Sequence, residues 1–147
     1  MGASAWDYYV PYQEDLDAAL QQLRGEVFAT GDYYWVHDDE PQPDGDGEPR
    51  PQSLDELWED ELVQETGTHS ILDIFRVVGP DETPDHNTVE PVTAEEAREL
   101  LGTDKLTRAH VKDFGVFPQS RWIGRCTVLH DEAGDPHEIY FWGYSGD

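Results

Sequence analysis

The chain has 147 residues, of which 33 are acidic and nine are basic, so its net charge is −24. Hydrophobic residues make up 37% and aromatic residues 12%, which is too apolar a composition for a disordered acidic tail. A chain of this length folds as a single domain with its own core, so we take residues 1–147 as one domain. The charge excludes direct binding to nucleic acid and to anionic membranes, and no apolar run reaches the roughly 18 residues that a membrane span needs.

The cysteine count and the first residues indicate a cellular compartment. Cys126 is the single cysteine, so an internal disulfide and a cysteine metal cluster are both excluded. Residues 1–7 lack the basic and apolar regions of a signal peptide. We therefore expect a cytoplasmic protein.

The first predicted elements are a helix and a strand. Between residues 13 and 28, apolar side chains recur at steps of three and four, which predicts one apolar helical stripe, and Gly31 is its expected end. Residues 33–36 are aromatic or β-branched and predict a strand. Residues 37–52 contain four prolines, two glycines and six acids without an apolar side chain, a composition that predicts a mobile surface loop.

The second helix has a clear predicted beginning. Ser53 and Glu56 have the spacing of a capping box, in which each side chain bonds to the other residue's backbone N–H. Leu and Trp side chains supply its buried face, and Gly67 is its expected end. Residues 70–78 form a β-branched and apolar run that predicts the next strand.

The third and fourth helices follow a predicted hairpin. Residues 79–86 are rich in turn-forming residues and predict a hairpin loop that leads into a strand at 87–92. Thr93 and Glu96 form a second capping box, which opens a short helix. Thr107 is the expected N-cap of a fourth helix that ends at Gly115.

The C-terminal part of the chain predicts a β-hairpin. Residues 121–130 and 137–144 are β-forming runs, and residues 131–136 between them are rich in strand breakers. Helices that lie outside a series of hairpins indicate an α+β fold. We predict an antiparallel or mixed sheet of four to five strands with helices packed on one face.

Negative charge is concentrated in the N-terminal part of the chain. Residues 1–66 contain 18 acidic and two basic side chains, whereas residues 67–147 contain 15 and seven. Three explanations compete for this acidity: adaptation to a salt-rich habitat, recognition of a basic partner, and incidental acidity in an enzyme. Habitat alone would spread the acids evenly, so the concentration favours recognition of a partner.

We therefore predict a protein that neutralises a basic protein partner. Carboxylates would steer the encounter, and aromatic side chains would hold the complex. In this general character the chain is similar to toxin immunity proteins and to inhibitors of nucleic-acid enzymes, some of which imitate DNA phosphates with carboxylates. The predicted anchors, if exposed, are Trp35 and Trp58. The predicted steering residues are Asp38, Asp39, Glu40, Asp55, Glu59 and Asp60.

The alternative hypothesis is a small-molecule enzyme or ligand-binding domain. It would use His69 and Asp73 as an acid–base pair, and Arg121 and Arg125 on one face of a strand to bind an anion. Cys126 is expected to be a core cysteine and not a nucleophile. We favour the binding protein over the enzyme.

Metal and cofactor binding are not expected. His130 and His137 flank the last turn beside several carboxylates, which are ligands that zinc accepts, but their spacing matches no metal motif.

The aromatic run at 139–144 covers both faces of a strand, which predicts either a covered sheet or an aromatic binding face.

Overall fold

The computed structural model describes residues 4–39, with positions 38 and 39 described by their backbone alone, and residues 50–79 and 81–145. Five strands form one mixed sheet in the order β1-β5-β4-β3-β2. The C-terminal strands β4 and β5 form an antiparallel hairpin, as predicted, and β1 pairs antiparallel with the far side of β5. The strands are β1 Ala5–Pro11, β2 Arg76–Val77, β3 Thr88–Pro91, β4 Ile123–His130 and β5 Pro136–Tyr144.

The first and third predicted helices form, and their predicted ends are confirmed at Gly31 and at the Thr93–Glu96 capping box. Helix α1, Leu16–Thr30, has Asp15 as its N-cap and ends at Gly31 in the left-handed conformation. Helix α4, Ala94–Leu101, begins with the complete capping box formed by Thr93 and Glu96. The α+β class, the mixed sheet and the C-terminal hairpin are therefore confirmed.

The second predicted helix is interrupted. It forms two short helices, α2 Leu54–Glu59 and α3 Glu61–Thr66, joined at Asp60. The Asp60 carboxylate accepts hydrogen bonds from the backbone N–H groups of Leu62 and Val63. Because an aspartate in extended conformation satisfies these N–H groups itself, a new helix begins there.

Helical segments cover both faces of the sheet. The main core contains the side chains that α1, α2 and α3 bury against residues such as Cys126, Ile139 and Phe141. A second core lies on the other face, where α4 and the 3-10 segment Arg108–Val116 cover Tyr140 and Trp142. The prediction placed helices on one face only; the aromatic residues of β5 require the second cover.

Several predicted strands are absent or shorter. Residues 33–36 do not form a strand, and a 3-10 segment occupies Val36–Asp39. In the run 70–78, Ile71–Asp73 is a 3-10 segment and only β2 is extended. Strands β2 and β3 are parallel, so residues 79–86 do not form a hairpin loop. The predicted fourth helix is a 3-10 segment and not an α-helix.

The sequence analysis did not predict β1, although this strand fixes one edge of the sheet. Trp6 of β1 pairs with Gly143 of β5, and its indole lies across that glycine and Gly124 of β4. A Cβ atom added at Gly124 would lie 2.8 Å from Trp6 Cη2, and one at Gly143 would lie closer still. The two glycines therefore make the space that buries Trp6.

We expect Gly143→Ala to destabilise the fold by roughly 1–3 kcal/mol, the usual cost of overpacking a core. The methyl group would displace the Trp6 ring, so the same substitution in a Trp6→Leu background should cost much less. Urea unfolding of both single variants and the double variant measures this coupling. Equal costs in both backgrounds would contradict the packing explanation.

The predicted loop at 37–52 lies largely outside the described residues, as do the side chains of Asp38 and Asp39 and all of Glu40. Within the described ranges, no helix is long and apolar enough to cross a lipid bilayer.

Candidate partner-binding site

Of the two predicted aromatic anchors, Trp35 is unavailable to a partner. Its side chain is only 4% exposed and belongs to the main core, where it packs against His37 with ring centroids 4.7 Å apart. The run at 33–36 predicts a strand, but these residues form no strand and the Trp35 indole is buried. Because the prediction made Trp35 an anchor only if it is exposed, Trp35 leaves the set of anchors.

Trp58 lies instead in the wall of an open cleft. The rings of Phe75 and Trp122 stand at 87° and 62° to its indole, with centroids 5.0 and 6.4 Å away. Trp58 is half-buried, and its indole N–H donates to the Leu72 carbonyl at 3.1 Å. Phe75 is 40% exposed. The cleft has a volume of about 470 Å³, and it is lined by Trp58, Gln64, Glu65, Phe75, His86, Asn87 and Trp122. We call it the aromatic cleft.

Two residues of the aromatic cleft have left-handed backbones. Asn87 and Trp122 each have φ of +68°, a conformation that is uncommon for asparagine and a genuine outlier for tryptophan. Asn87 N–H donates to the Trp122 carbonyl at 2.7 Å, and Trp122 N–H donates to the Tyr144 carbonyl at 3.1 Å. These bonds hold Trp122 in a strained conformation, and such strain concentrates at functional sites.

The two helices that contribute Trp58, Gln64 and Glu65 to the aromatic cleft also carry exposed acidic residues. Asp55 and Glu59 of α2 are exposed, as the steering hypothesis requires. Glu61 and Glu65 of α3 are exposed as well, one turn apart, and Glu65 lines the aromatic cleft. A surface that combines aromatic side chains with carboxylates has therefore formed around Trp58.

Asp60 has a structural role that the steering hypothesis did not foresee. Besides capping α3, its carboxylate lies 2.5 Å from Nε2 of the buried His37. Burial of the Asp60 carboxylate acts to raise its pKa, but the His37 contact and the bonds from Val63 and Leu62 outweigh this and lower it. The side chain is thus engaged within the fold.

The lowered pKa of Asp60 predicts a pH dependence of stability. A carboxylate whose folded pKa lies below its unfolded value contributes stability above the unfolded pKa and loses it as the pH falls through the folded pKa. We expect Asp60→Asn, which retains a cap, to reduce the free energy of unfolding at neutral pH and to flatten its acid decline. Urea unfolding between pH 7 and about pH 3 tests this, with exposed Asp55→Asn as control. An unchanged acid decline in Asp60→Asn would refute it.

The predicted acid–base pair lies in a buried polar network. Asp73 is fully buried, and its Oδ1 accepts hydrogen bonds from Thr68 N–H at 2.6 Å and Thr68 Oγ1 at 2.9 Å. Thr68 Oγ1 in turn lies 2.6 Å from Ser70 Oγ. His69 has φ of +52° and stacks on Tyr34 with centroids 4.3 Å apart. Neither side chain lines the aromatic cleft, and the network orders the chain between α3 and β2.

The two arginines of the enzyme hypothesis are separated by the fold. Arg125 is 2% exposed and donates to both Glu96 carboxylate oxygens and to the carbonyls of Glu90 and Pro118. Arg121 is exposed and precedes β4, because the left-handed Trp122 interrupts the strand. They do not form the predicted pair on one strand face, and the Arg125 guanidinium is buried in a hydrogen-bond network of the fold.

The histidine and cysteine candidates also have structural surroundings. His130 and His137 line one open depression of about 450 Å³ with Glu138, and His130 Nδ1 lies 3.1 Å from the Leu106 carbonyl. Among the described residues, no group of three or more histidine, cysteine and acidic side chains is placed to hold a metal ion. Cys126 is buried in the main core, and burial raises the pKa of its thiol to about 12, so it is not a nucleophile at neutral pH.

A second cleft follows the edge strand β2. It has a volume of about 450 Å³, and Val77, Val78 and Val92 contribute its apolar lining. Its carboxylates serve the fold: Asp17 accepts the Val77 N–H at 3.0 Å, and Glu82 pairs with Arg76 at 2.8 Å. These contacts close the outer edge of β2.

The sheet, its two covered faces and the aromatic cleft define the chain as an α+β protein with an acidic, aromatic surface site. Comparison with models of protein families, with curated proteins and with solved structures finds no match to this chain. Sequence analysis missed Phe75 and Trp122 as site residues. The available signal at Trp58 and Trp122 was a large aromatic beside polar or turn-forming residues, whereas Phe75 lies in the apolar run 70–78 and carried no such signal.

Proposed function

We propose that the protein binds and neutralises a basic protein partner, in the manner of an inhibitor or immunity protein. The observation that carries the proposal is the aromatic cleft around Trp58: Glu65 of α3 lines it, and Asp55 and Glu59 are exposed on α2, the helix that contributes Trp58. Aromatic side chains in partly desolvated pockets dominate binding energy at interfaces, and surrounding charges set the association rate. The net charge of −24 adds a long-range attraction for any basic surface.

The residue roles divide between steering and anchoring. Asp55 and Glu59 are exposed on α2 and are the steering residues of the proposal, together with Asp38, Asp39 and Glu40 of the sequence prediction. Asp60 and Trp35 are removed from the set because each serves the fold. Trp58, with Phe75 and Trp122 beside it, anchors the partner.

Capture from the native lysate tests the proposal. The bait is the tagged full chain, eluted along a salt gradient and analysed by mass spectrometry. We expect one basic protein at near one-to-one stoichiometry, released by salt. In the double charge reversal Asp55→Lys/Glu59→Lys, its association should slow at low salt and its elution should move to lower salt.

The matched control carries the same charge change elsewhere. Glu99 on α4 and Glu132 in the β4–β5 turn are exposed and lie outside α2 and α3. Glu99→Lys/Glu132→Lys should leave capture close to that of the unmodified chain. If both double variants lose the partner equally, only net charge matters and the proposed site is wrong. If no basic protein is captured at low salt, the proposed function is wrong.

A further inference from the structure

We infer that the aromatic cleft receives a guanidinium group, from an arginine side chain that the basic partner presents. This inference rests on the proposed function and adds the chemistry of the residue that enters the site. It depends on three properties of the cleft: the aromatic walls, the polar groups between them and the strained backbone of Trp122.

The walls favour a cation. The rings of Phe75 and Trp122 stand at steep angles to that of Trp58, so the cleft is lined by aromatic rings in more than one plane. The face of an aromatic ring carries negative potential, and tryptophan attracts cations most strongly. A planar guanidinium also stacks on such faces, which a compact ammonium group does not.

The polar groups of the cleft are arranged as hydrogen-bond acceptors. Gln64 Nε2 donates to the Trp58 carbonyl at 2.6 Å, and Asn87 Nδ2 donates to the Asp73 carbonyl at 2.8 Å. Each amide nitrogen thus gives one of its two N–H donors to the backbone, and both amide oxygens are acceptors for a ligand. The Glu65 carboxylate adds two acceptor oxygens. A guanidinium has five donors and no acceptor, so it complements this set.

The chain itself uses the same contact at several positions. Among the described residues, Arg108 lies over Tyr9 at 4.0 Å, Arg50 over Tyr33 at 4.7 Å and Arg24 over Phe75 at 5.5 Å. Arg24 is buried against Phe75 and donates to the Gln21 side-chain oxygen, so these contacts hold its guanidinium within the fold. Of the other nearby cations, Arg76 pairs with Glu82 outside the cleft. His86 lines the cleft and is exposed.

Trp122 supplies independent support. A tryptophan in the left-handed conformation costs free energy that glycine would not. The neighbouring hydrogen bonds maintain this conformation, and its result is a half-buried indole in the wall of the cleft. A side chain held at such a cost in a surface cleft points to a ligand that uses the ring.

The test uses the full chain and two small probes of the same size and shape. Nα-acetyl-arginine amide carries the guanidinium, and Nα-acetyl-citrulline amide replaces it with a neutral, planar urea. We expect the arginine probe at millimolar concentrations to shift the NMR signals of the Trp58 and Trp122 indole N–H groups. The citrulline probe should shift them far less. Equal shifts by both probes, or none by the arginine probe, would overturn the inference.

Two pairs of variants locate the contact. Phe75→Leu removes a ring from the cleft, and Tyr12→Leu removes an equally exposed ring outside it. Phe75→Leu should weaken the arginine probe about threefold to thirtyfold, the equivalent of one cation–π contact, and Tyr12→Leu should not. Glu65→Gln should weaken it and Glu99→Gln should not. Equal effects within either pair would also overturn the inference.

The two proposals fail in distinguishable ways. If partner capture depends on Asp55 and Glu59 but the arginine probe does not bind, the guanidinium inference is wrong and the proposed function stands. If the arginine probe binds but no basic partner is captured, the proposed function is wrong.

Discussion

We expect Gly67→Ala to cost about 4 kcal/mol of stability, the largest effect expected among the glycines that the structure describes. Gly67 ends α3 with φ of +76° and ψ of −175°, a region that only glycine occupies readily. A Cβ atom there would also lie 2.7 Å from Asp73 Oδ2. Asp73 cannot move away cheaply, because it is fully buried and bonded to Thr68.

Two other glycines separate the clash from the backbone strain. Gly102 has φ of +79° with open space around it, so Gly102→Ala measures strain alone, at about 1–2 kcal/mol. Gly25 lies within α1 with nothing near its Cβ position, so Gly25→Ala should stabilise by about 0.5–1 kcal/mol. Urea unfolding of the three variants gives the comparison. If Gly67→Ala costs no more than Gly102→Ala, the Asp73 network is not rigid.

The second large effect is expected at Arg125. Arg125→Met should cost about 3–5 kcal/mol, because it leaves the Glu96 carboxylate and the carbonyls of Glu90 and Pro118 without their donor. Glu96 also belongs to the capping box of α4. The substitution therefore loosens α4 and the second core together.

A nearby arginine provides the control. Arg98 on α4 pairs with Asp104 at 2.6 Å, but both side chains are about half exposed. Arg98→Met should therefore cost less than about 1 kcal/mol. Adding Glu96→Gln to Arg125→Met keeps a capping side chain and removes the uncompensated charge, so the double variant should recover part of the loss. If Arg125→Met and Arg98→Met lower the free energy of unfolding by the same amount, the buried network around Arg125 contributes no more stability than an exposed ion pair.

Two residues of the enzyme hypothesis, Arg125 and Asp73, lie in buried polar networks of the fold. Arg125 and Asp73 are the kinds of side chain that bind or transform substrates, and their sequence positions suit that role. In the fold, Arg125 donates to Glu96 and to the carbonyls of Glu90 and Pro118, and Asp73 Oδ1 accepts from Thr68. Their polarity serves to connect buried segments of the chain.

Elements with short-range causes were predictable. The Thr93–Glu96 capping box, the Gly31 end of α1 and the β4–β5 hairpin depend on neighbouring residues, and the structure contains all three. The break at Asp60 is also local, but it competes with a continuous apolar stripe. The apolar periodicity alone favours one continuous helix, but the N-cap that the Asp60 side chain forms begins a second helix there.

Long-range pairings were beyond the sequence. The position of β1 depends on the packing of the Trp6 indole over Gly124 and Gly143, which lie more than a hundred residues away in the chain. Residues 33–36 have strand-forming side chains but no strand beside them, and the rings of Tyr33 and Trp35 fill the core instead. Strand propensity describes a half-buried surface, and only a partner strand provides one.

For the candidate binding site, the negative charge, the acidic residues of the second predicted helix and Trp58 as a candidate anchor follow from the sequence. The tertiary structure alone decided that Phe75 and Trp122 join Trp58, that Trp35 is buried and that Asp60 serves His37 and α3. The physical reason is that charge and helix caps are properties of neighbouring residues. Exposure and ring-to-ring contact depend on which distant segments pack together, and one sequence does not encode that in any local pattern.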